Sequence, residues 1–233
     1  MAHTYTTSQL AQFPWIFSCD TLRPEDLLPK FWNAAEACAV LADRPQLLNA
    51  ETLANLQRLV GKNSRESAWS DTWDGIVGET WACVTLGQLH EALNDAAPVG
   101  FYFGASDGDG ACFGFWIDES WAEALELFGM GNDDPTGWAS LIAELDADGI
   151  DPDTVEDSYC GQAEGITEER AGADYAQQLA QDTWLPEGPG GVGWNRWPVS
   201  CIDWAAAWEE LRIGDGYRLH SIGGGDWLVF RAV

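Results

Sequence analysis

The feature that most constrains this chain is a stretch of 104 residues, Glu66 to Glu169, that contains no lysine or arginine. It holds 24 aspartates and glutamates, so it carries nearly all of the formal net charge of −27. Residues 1–65 have six acids and six bases, and residues 170–233 have eight acids and five bases. Because self-repulsion at such a charge density costs folding free energy, one acidic block between nearly neutral flanks indicates a working surface.

The composition predicts a folded protein. Hydrophobic residues make up 46% of the chain and include 14 tryptophans, which a disordered acidic tail would lack. No apolar window reaches the roughly 18 residues that a membrane span needs, and no signal sequence is evident, which predicts a cytoplasmic protein with no membrane partner. The six cysteines lie far apart, so we expect reduced thiols, mostly in the core, and no structural zinc site.

The order of local signals predicts an α+β fold, elongated and built from several small modules with short helices and small antiparallel sheets. Residues 1–70 read as a charge-balanced helical N-terminal module, and residues 71–117 as a small αββ module. Residues 118–166 form an acidic module of short helices. Residues 167–233 supply a helix, a C-terminal helix and a β-hairpin.

Helix starts are marked in the first half of the chain. Pro24 suits the first turn of a helix, and a second helix follows Asn49. Thr85 and Gln88 form a capping box, which predicts a short helix ending near Pro98.

A hairpin and further helices are predicted in the acidic block. Strands at 101–103 and 111–117 flank the turn Ser106–Gly110. Ser120 and Glu123 make a second capping box, which predicts a helix there.

Helix-start and turn signals also occur in the rest of the chain. Asp-Pro pairs at Asp134 and Asp151 predict two more helix starts. After the glycine-rich loop Pro186–Gly193, Asp203 is expected to cap a helix, and a hairpin turns across Gly223–Asp226.

Little in the spacing of the residues supports a catalytic or metal site. The segments Asp107–Asp109 and Asp146–Asp157 lack the ligand spacing of a calcium loop, so solvated turn carboxylates are expected there. Asp118 and Glu119 lie close to two tryptophans and could serve a glycosidase, although nothing in the sequence sets their separation. We therefore predict no catalytic residues, no metal and no cofactor, with an enzyme or sugar-binding protein as a minor alternative.

Mimicry of nucleic-acid charge fits the acidic block better. Double-stranded DNA carries one negative charge per about 1.7 Å of axis, and acids every three or four positions on a helix lie about 5–6 Å apart. Several short helices could thus occupy the basic groove of a DNA-binding protein. The acids expected to contact such a partner are Asp118, Glu119, Glu123, Glu126, Asp133, Asp134, Glu144, Asp146, Asp148, Asp151, Asp153, Glu156 and Asp157.

Four runs late in the chain resemble the ArdA antirestriction family. They are Glu156-Asp157-Ser158-Tyr159-x-Gly161, Tyr175-Ala176-x-x-Leu179-Ala180-x-Asp182-Thr183, Ile202-Asp203-Trp204 with Leu211, and Trp227-Leu228-Val229-Phe230-Arg231. The better match covers residues 135–233, and residues 102–118 resemble the family's first strands only loosely. Pro186–Gly193 is an insertion relative to the family, and the first 100 residues have no counterpart.

The resemblance implies a non-catalytic counter-defence protein of a phage, plasmid or transposon, an elongated homodimer that mimics bent DNA. Its expected partner is the DNA-binding subunit of a host restriction or CRISPR complex in the bacterial cytoplasm, with no direct binding of nucleic acid. The extra N-terminal module could redirect the protein from a type I restriction enzyme to a CRISPR surveillance complex. The alternative is an interaction module that binds a protein partner through its N-terminal part, with the acids serving only solubility.

Overall fold

The computed structural model describes residues 5–19, 22–38, 48–61, 79–126, 128, 134–183 and 199–231. These contain helices and two small antiparallel sheets of three strands each, so the fold class is α+β, as predicted. The residues form two compact units, Met1–Ala122 with Gly131–Ala143 and Glu123–Met130 with Glu144–Val233. The four modules expected from the sequence stay a prediction.

The first unit contains one sheet and several helices. Its elements are α1 (Thr7–Leu10), β1 (Ile16–Ser18), α2 (Pro24–Ala37), α3 (Ala50–Gly61), α4 (Glu79–Asp95), β2 (Phe101–Ser106) and β3 (Asp109–Ile117). The strand order is β1-β3-β2, with both neighbouring pairs antiparallel. The hairpin predicted around Ser106–Gly110 is therefore confirmed, and both of its strands are longer than expected.

Aromatic side chains make up the core of this unit. The ring of Phe103, on β2, lies 5.1 Å from the rings of Phe31 and Phe115 and 5.4 Å from His90. Phe31 belongs to α2 and His90 to α4, so both helices pack their apolar faces on the sheet. Burial of such large rings is a main source of core stability.

The starts of α2 and α3 are confirmed. Pro24 is the first residue of α2, where its missing N–H leaves no helical hydrogen bond unmade. Asn49 caps α3, since its Oδ1 accepts a hydrogen bond from the backbone N–H of Thr52 at 2.8 Å.

Both predicted capping boxes are wrong. Thr85 lies inside α4 and is buried, because the apolar stripe that includes Ala82 and Leu89 runs through it. Ser120 is the second residue of its helix, and Asp118 caps it by accepting the N–H of Ser120 at 3.0 Å. The carboxylate of Asp118, which precedes the helix, occupies the cap position in place of the Ser120 hydroxyl.

The remaining elements follow in chain order, and the two units divide within the first two of them. They are α5 (Glu119–Glu126), α6 (Pro135–Ala147), α7 (Val155–Ser158), β4 (Tyr159–Glu164), α8 (Glu168–Thr183), a 3-10 helix (Val199–Cys201), α9 (Trp204–Gly214), β5 (Tyr217–Gly223) and β6 (Asp226–Arg231). Within the described ranges, no helix combines the length and the apolar character needed to cross a membrane.

The second unit is built on the sheet β4-β6-β5. Its core includes Tyr175 on α8, Trp208 on α9 and Val229 on β6. Gly172 faces Trp208 so closely that an added Cβ would overlap the indole ring, which lets α8 and α9 approach each other.

Two predictions about the end of the chain are confirmed. Asp203 caps α9, since its Oδ1 accepts the N–H of Ala206 at 3.1 Å. The β5–β6 hairpin turns through Gly223, Gly224 and Gly225, which all have positive φ and so favour glycine. The predicted loop Pro186–Gly193 lies outside the described residues.

The cysteines differ from expectation. Cys19 and Cys112 are joined by a disulfide that links the end of β1 to β3, so the prediction of reduced thiols is wrong for this pair. Cys38 is a buried free thiol, as expected of a core cysteine. Three other free thiols are exposed, contrary to expectation, namely Cys83, Cys160 and Cys201.

Candidate acidic interaction surface

The predicted acids lie at the protein surface. Of the 13, all but Asp133 fall within the described residues, and each of those twelve is exposed. Asp133 lies outside the described residues. The acids therefore have the accessibility that contact with a partner requires, while their helices bury the opposite face.

Helix α5 shows this division between its faces. Trp121 and Leu125 are buried, whereas Glu119, Glu123 and Glu126 are exposed. The three glutamates follow the helical spacing of three to four residues, so they lie on one face, about 5–6 Å apart.

Helix α6 repeats the arrangement. Asp134 caps it, since its Oδ1 accepts the N–H groups of Thr136 at 3.1 Å and Gly137 at 3.0 Å. The predicted start at this Asp-Pro pair is confirmed. The helix buries four apolar side chains on its opposite face, namely Trp138, Leu141, Ile142 and Leu145.

The segment after α6 combines local structure with charge. Asp151 Oδ1 accepts hydrogen bonds from the N–H of Thr154 at 3.0 Å and from its hydroxyl at 2.9 Å. This turn leads into α7, where Val155 is buried and Glu156 and Asp157 are exposed in the first turn. Helix α7 thus begins four residues after Asp151, later than the Asp-Pro pair suggests.

Acids are concentrated in one part of the second unit. Residues 144–164 contain eight acids and no lysine or arginine. Helix α6 ends at Ala147, so Glu144 and Asp146 are held by regular backbone while Asp148 follows in the turn. An ordered scaffold that fixes carboxylates at the surface produces a sustained negative potential.

Two of these acids also contact a buried histidine. Nδ1 of His220, on β5, lies 3.0 Å from Oε2 of Glu144. Its Nε2 lies 3.3 Å from Oδ2 of Asp148 but is not aligned for a hydrogen bond. The His220 side chain is only 5% exposed, so these carboxylates border an almost fully enclosed imidazole.

This contact joins two residues that are distant in the sequence. Glu144 and His220 are 76 positions apart, and nothing local to either residue signals the other.

The carboxylates considered for a glycosidase lie beside a cavity. Asp118, Glu119 and Trp116 line a cavity of about 930 Å3 in the first unit. Trp121 does not line it, and its side chain is buried.

Carboxylates in the aspartate-rich turns accept backbone hydrogen bonds that stabilise those turns. Asp109 Oδ1 accepts the N–H of Ala111 at 2.9 Å within the β2–β3 hairpin, and Asp151 forms the turn before α7. Across the described ranges, no group of three or more His, Cys, Asp or Glu side chains is placed to hold a metal ion.

Comparison with known proteins identifies no relative. The chain matches no protein-family model, no curated protein and no solved structure. The runs that resemble the ArdA family all have described positions in the second unit, including Tyr175 on α8, Trp204 on α9 and Trp227 on β6. The resemblance itself stays a prediction.

Proposed function

We propose that this protein is a non-catalytic counter-defence protein of a phage or mobile element. It presents the charge of nucleic acid and blocks the DNA-binding site of a bacterial defence complex, either a type I restriction enzyme or a CRISPR-Cas surveillance complex. The observation that supports this best is the exposure of all twelve described acids in a stretch of chain without lysine or arginine.

The mechanism is steric and electrostatic competition. A groove that binds DNA carries lysines and arginines that neutralise its phosphates and so release the counterions condensed on the DNA. Carboxylates held about 5–6 Å apart on successive helix turns offer those bases an alternative set of negative charges. Long-range attraction speeds the encounter, and added salt weakens it.

Other parts of the proposal follow from this mechanism. The partner is the DNA-binding subunit of the complex, in the host bacterial cytoplasm, and the protein itself binds no nucleic acid. Homodimerisation and the absence of a cofactor belong to the same proposal, through the resemblance to the ArdA family.

A second function is favoured by a different observation. Large apolar side chains are exposed within residues 1–98, among them Leu22 at 64% and Val84 at 57%. Single exposed apolar residues are common, but they are also what a protein-binding face presents. In this alternative the N-terminal part binds a protein partner and the acids only keep the protein soluble.

Charge reversal tests the mimicry. The variant Asp146→Lys, Asp153→Lys, Glu156→Lys and Asp157→Lys removes exposed acids that have no side-chain partner within the described residues. We expect inhibition of purified restriction or CRISPR complexes to weaken by about tenfold or more, which corresponds to about 1.4 kcal/mol of binding free energy. Circular dichroism and thermal unfolding establish that the variant is folded.

A matched control makes the same change in net charge elsewhere in the second unit. It carries Asp182→Lys, Glu210→Lys, Asp215→Lys and Asp226→Lys, all at exposed positions. Mimicry by the acidic block requires this control to inhibit as the native protein does. Equal inhibition by a folded block-reversed variant would refute the proposal.

The alternative is tested without truncation, since removing residues 1–98 would delete β1, α2 and α4 from the first unit. The double variant Leu22→Ser and Val84→Ser changes only exposed side chains. Loss of partner capture in this variant, with full capture by the charge-reversed one, would favour the interaction module over the mimic.

A further inference from the structure

We propose that the cavity of the first unit binds a guanidinium group, presented as an arginine side chain of a partner protein. The inference concerns residues of the first unit and does not depend on mimicry of nucleic acid by the acidic block. The cavity has a volume of about 930 Å3. Its principal residues are Trp15, Tyr102 and Trp116, with the carboxylates of Asp107, Asp118 and Glu119.

The sheet places the aromatic rings. Tyr102 on β2 pairs directly with Trp116 on β3, so both side chains project from the same face. The next pair on that face is Gly104 with Gly114, two buried glycines whose lack of side chains makes room for the rings of Tyr102 and Trp116. A Cβ on Gly104 would lie 3.1 Å from Tyr102 Cε2, so the glycine allows the phenol ring to lie close to the strand.

The hydrogen-bonding capacity left in the cavity is almost entirely that of an acceptor. Trp116 Nε1 already donates to the carbonyl of Gly104 at 3.0 Å, and Trp15 Nε1 donates to the Thr136 hydroxyl at 3.2 Å. The other hydrogen-bond donors among the lining side chains are the hydroxyls of one tyrosine and one serine. All three charged side chains that line the cavity are carboxylates. A ligand that fits this set has several donors and a positive charge.

The cavity also has a negative potential. Burial raises the pKa of the Tyr102 phenol, and the charges of Asp107 and Asp118 raise it further. Both carboxylates therefore lie close enough to the Tyr102 phenol for their charges to act on it. No lysine, arginine or histidine lines the cavity among the described residues, so its negative charge is not offset there.

Guanidinium matches these properties better than ammonium or a sugar. It is planar, stacks on aromatic faces and is more weakly hydrated than an ammonium ion. Its five N–H donors can reach carboxylates in pairs. A sugar would need donors as well as acceptors from the protein, and the two indole N–H groups are already used.

The cavity has room for more of a ligand than its guanidinium group. Its volume lies near the upper end of the range of about 300–1,000 Å3 for ligand pockets, more than one guanidinium fills. The backbone on either side of an arginine could therefore enter the mouth, where the exposed carboxylates of Asp107 and Glu119 lie.

The test uses the full chain and the capped peptide Gly-Gly-Arg-Gly-Gly, with versions in which citrulline or lysine replaces arginine. Binding is followed through the indole N–H resonances of Trp15 and Trp116. We expect the arginine peptide to shift both resonances with a Kd of about 1 mM, the citrulline peptide to bind about tenfold more weakly, and the lysine peptide to fall between them.

A protein variant completes the test. Asp107→Asn with Asp118→Asn removes two charges from the cavity, and the amide oxygen of an asparagine can still cap α5. We expect this variant to bind the arginine peptide about fivefold more weakly. The control Glu91→Gln with Asp109→Asn makes the same charge change at exposed positions of this unit that do not line the cavity, and it should bind normally.

Several outcomes would overturn the inference. Equal binding of the citrulline peptide would exclude recognition of the charge, and equal binding by the Asp107/Asp118 variant would place the peptide elsewhere. Free arginine binding as tightly as the peptide would make this a small-molecule site. A disaccharide shifting the same resonances at lower concentration would make it a sugar site.

Discussion

Nδ1 of His220 lies 3.0 Å from Oε2 of Glu144, which joins the sheet of the second unit to the last turns of α6. Glu144 is one of the acids expected at the interaction surface, and it remains 57% exposed despite this contact. One carboxylate thus serves two purposes, because one oxygen holds the buried imidazole while the side chain still faces solvent. The acidic surface and the fold of the unit are not independent of each other.

This contact predicts a difference in stability between two neighbouring acids. Glu144→Ala should lower the free energy of unfolding by about 1 kcal/mol, since it leaves a nitrogen of His220 without its partner. Asp146→Ala, on the same helix, should leave the stability unchanged or raise it, because it removes only repulsion. Urea denaturation followed by tryptophan fluorescence measures both, and equal effects would show that the histidine contact contributes nothing.

The close approach of α8 and α9 predicts that Gly172 cannot be replaced. An alanine Cβ would overlap the buried indole of Trp208, so Gly172→Ala should destabilise the protein by about 1–3 kcal/mol. Gly214→Ala, near the end of α9, meets no atom within 4 Å and should be neutral or slightly stabilising. Thermal unfolding of the two variants distinguishes this steric effect from a general intolerance of alanine.

Burial of His90 predicts a pH dependence. Desolvation lowers the pKa of its imidazole in the folded state, whereas the unfolded chain has the ordinary value of about 6.5. As the pH falls through 6.5, the unfolded state binds a proton first, so stability decreases until the pH passes below the folded-state pKa. The variant His90→Gln should lack this part of the acid sensitivity, measured as the difference between stability profiles from pH 7.5 to 5. Parallel profiles would contradict the prediction.

Burial also predicts that one thiol is unreactive. Desolvation raises the pKa of Cys38 to about 12, so at pH 8 its thiolate fraction is about a thousandfold smaller than that of a thiol with the ordinary pKa near 8.5. Iodoacetamide should label the exposed Cys83 long before Cys38, and guanidinium chloride should abolish the difference. Mass spectrometry of peptic peptides measures both rates, and prompt labelling of native Cys38 would show that the thiol is accessible.

Local signals predicted those elements whose causes are local. Pro24, Asn49 and Asp203 each act within one helical turn, and each begins a helix as expected. The error at Thr85 has the same origin, because a motif of four residues says nothing about an apolar stripe that continues on both sides. Local chemistry therefore determines where many elements begin but not how far they extend.

Contacts distant in sequence could not be predicted in this way. Pairing of β1 with β3 brings Ile16 opposite Gly114, and only the folded chain shows that Trp15 then lines a cavity with Trp116. Exposure of the acids was predictable because burying an unpaired charge is costly. Which acids also hold the fold, such as Glu144 and Asp151, was not.

The exposure of the acidic block has an evolutionary consequence. A carboxylate such as that of Asp153 or Glu156 is constrained by its charge and hardly by its shape, so aspartate and glutamate can exchange there, and an acid lost at one position can be regained at the next. Gly172 and Trp208 allow no such exchange, because each fits the other. Over many generations the surface could keep its electrostatic character while its residues turned over, and descent would be recorded in the core.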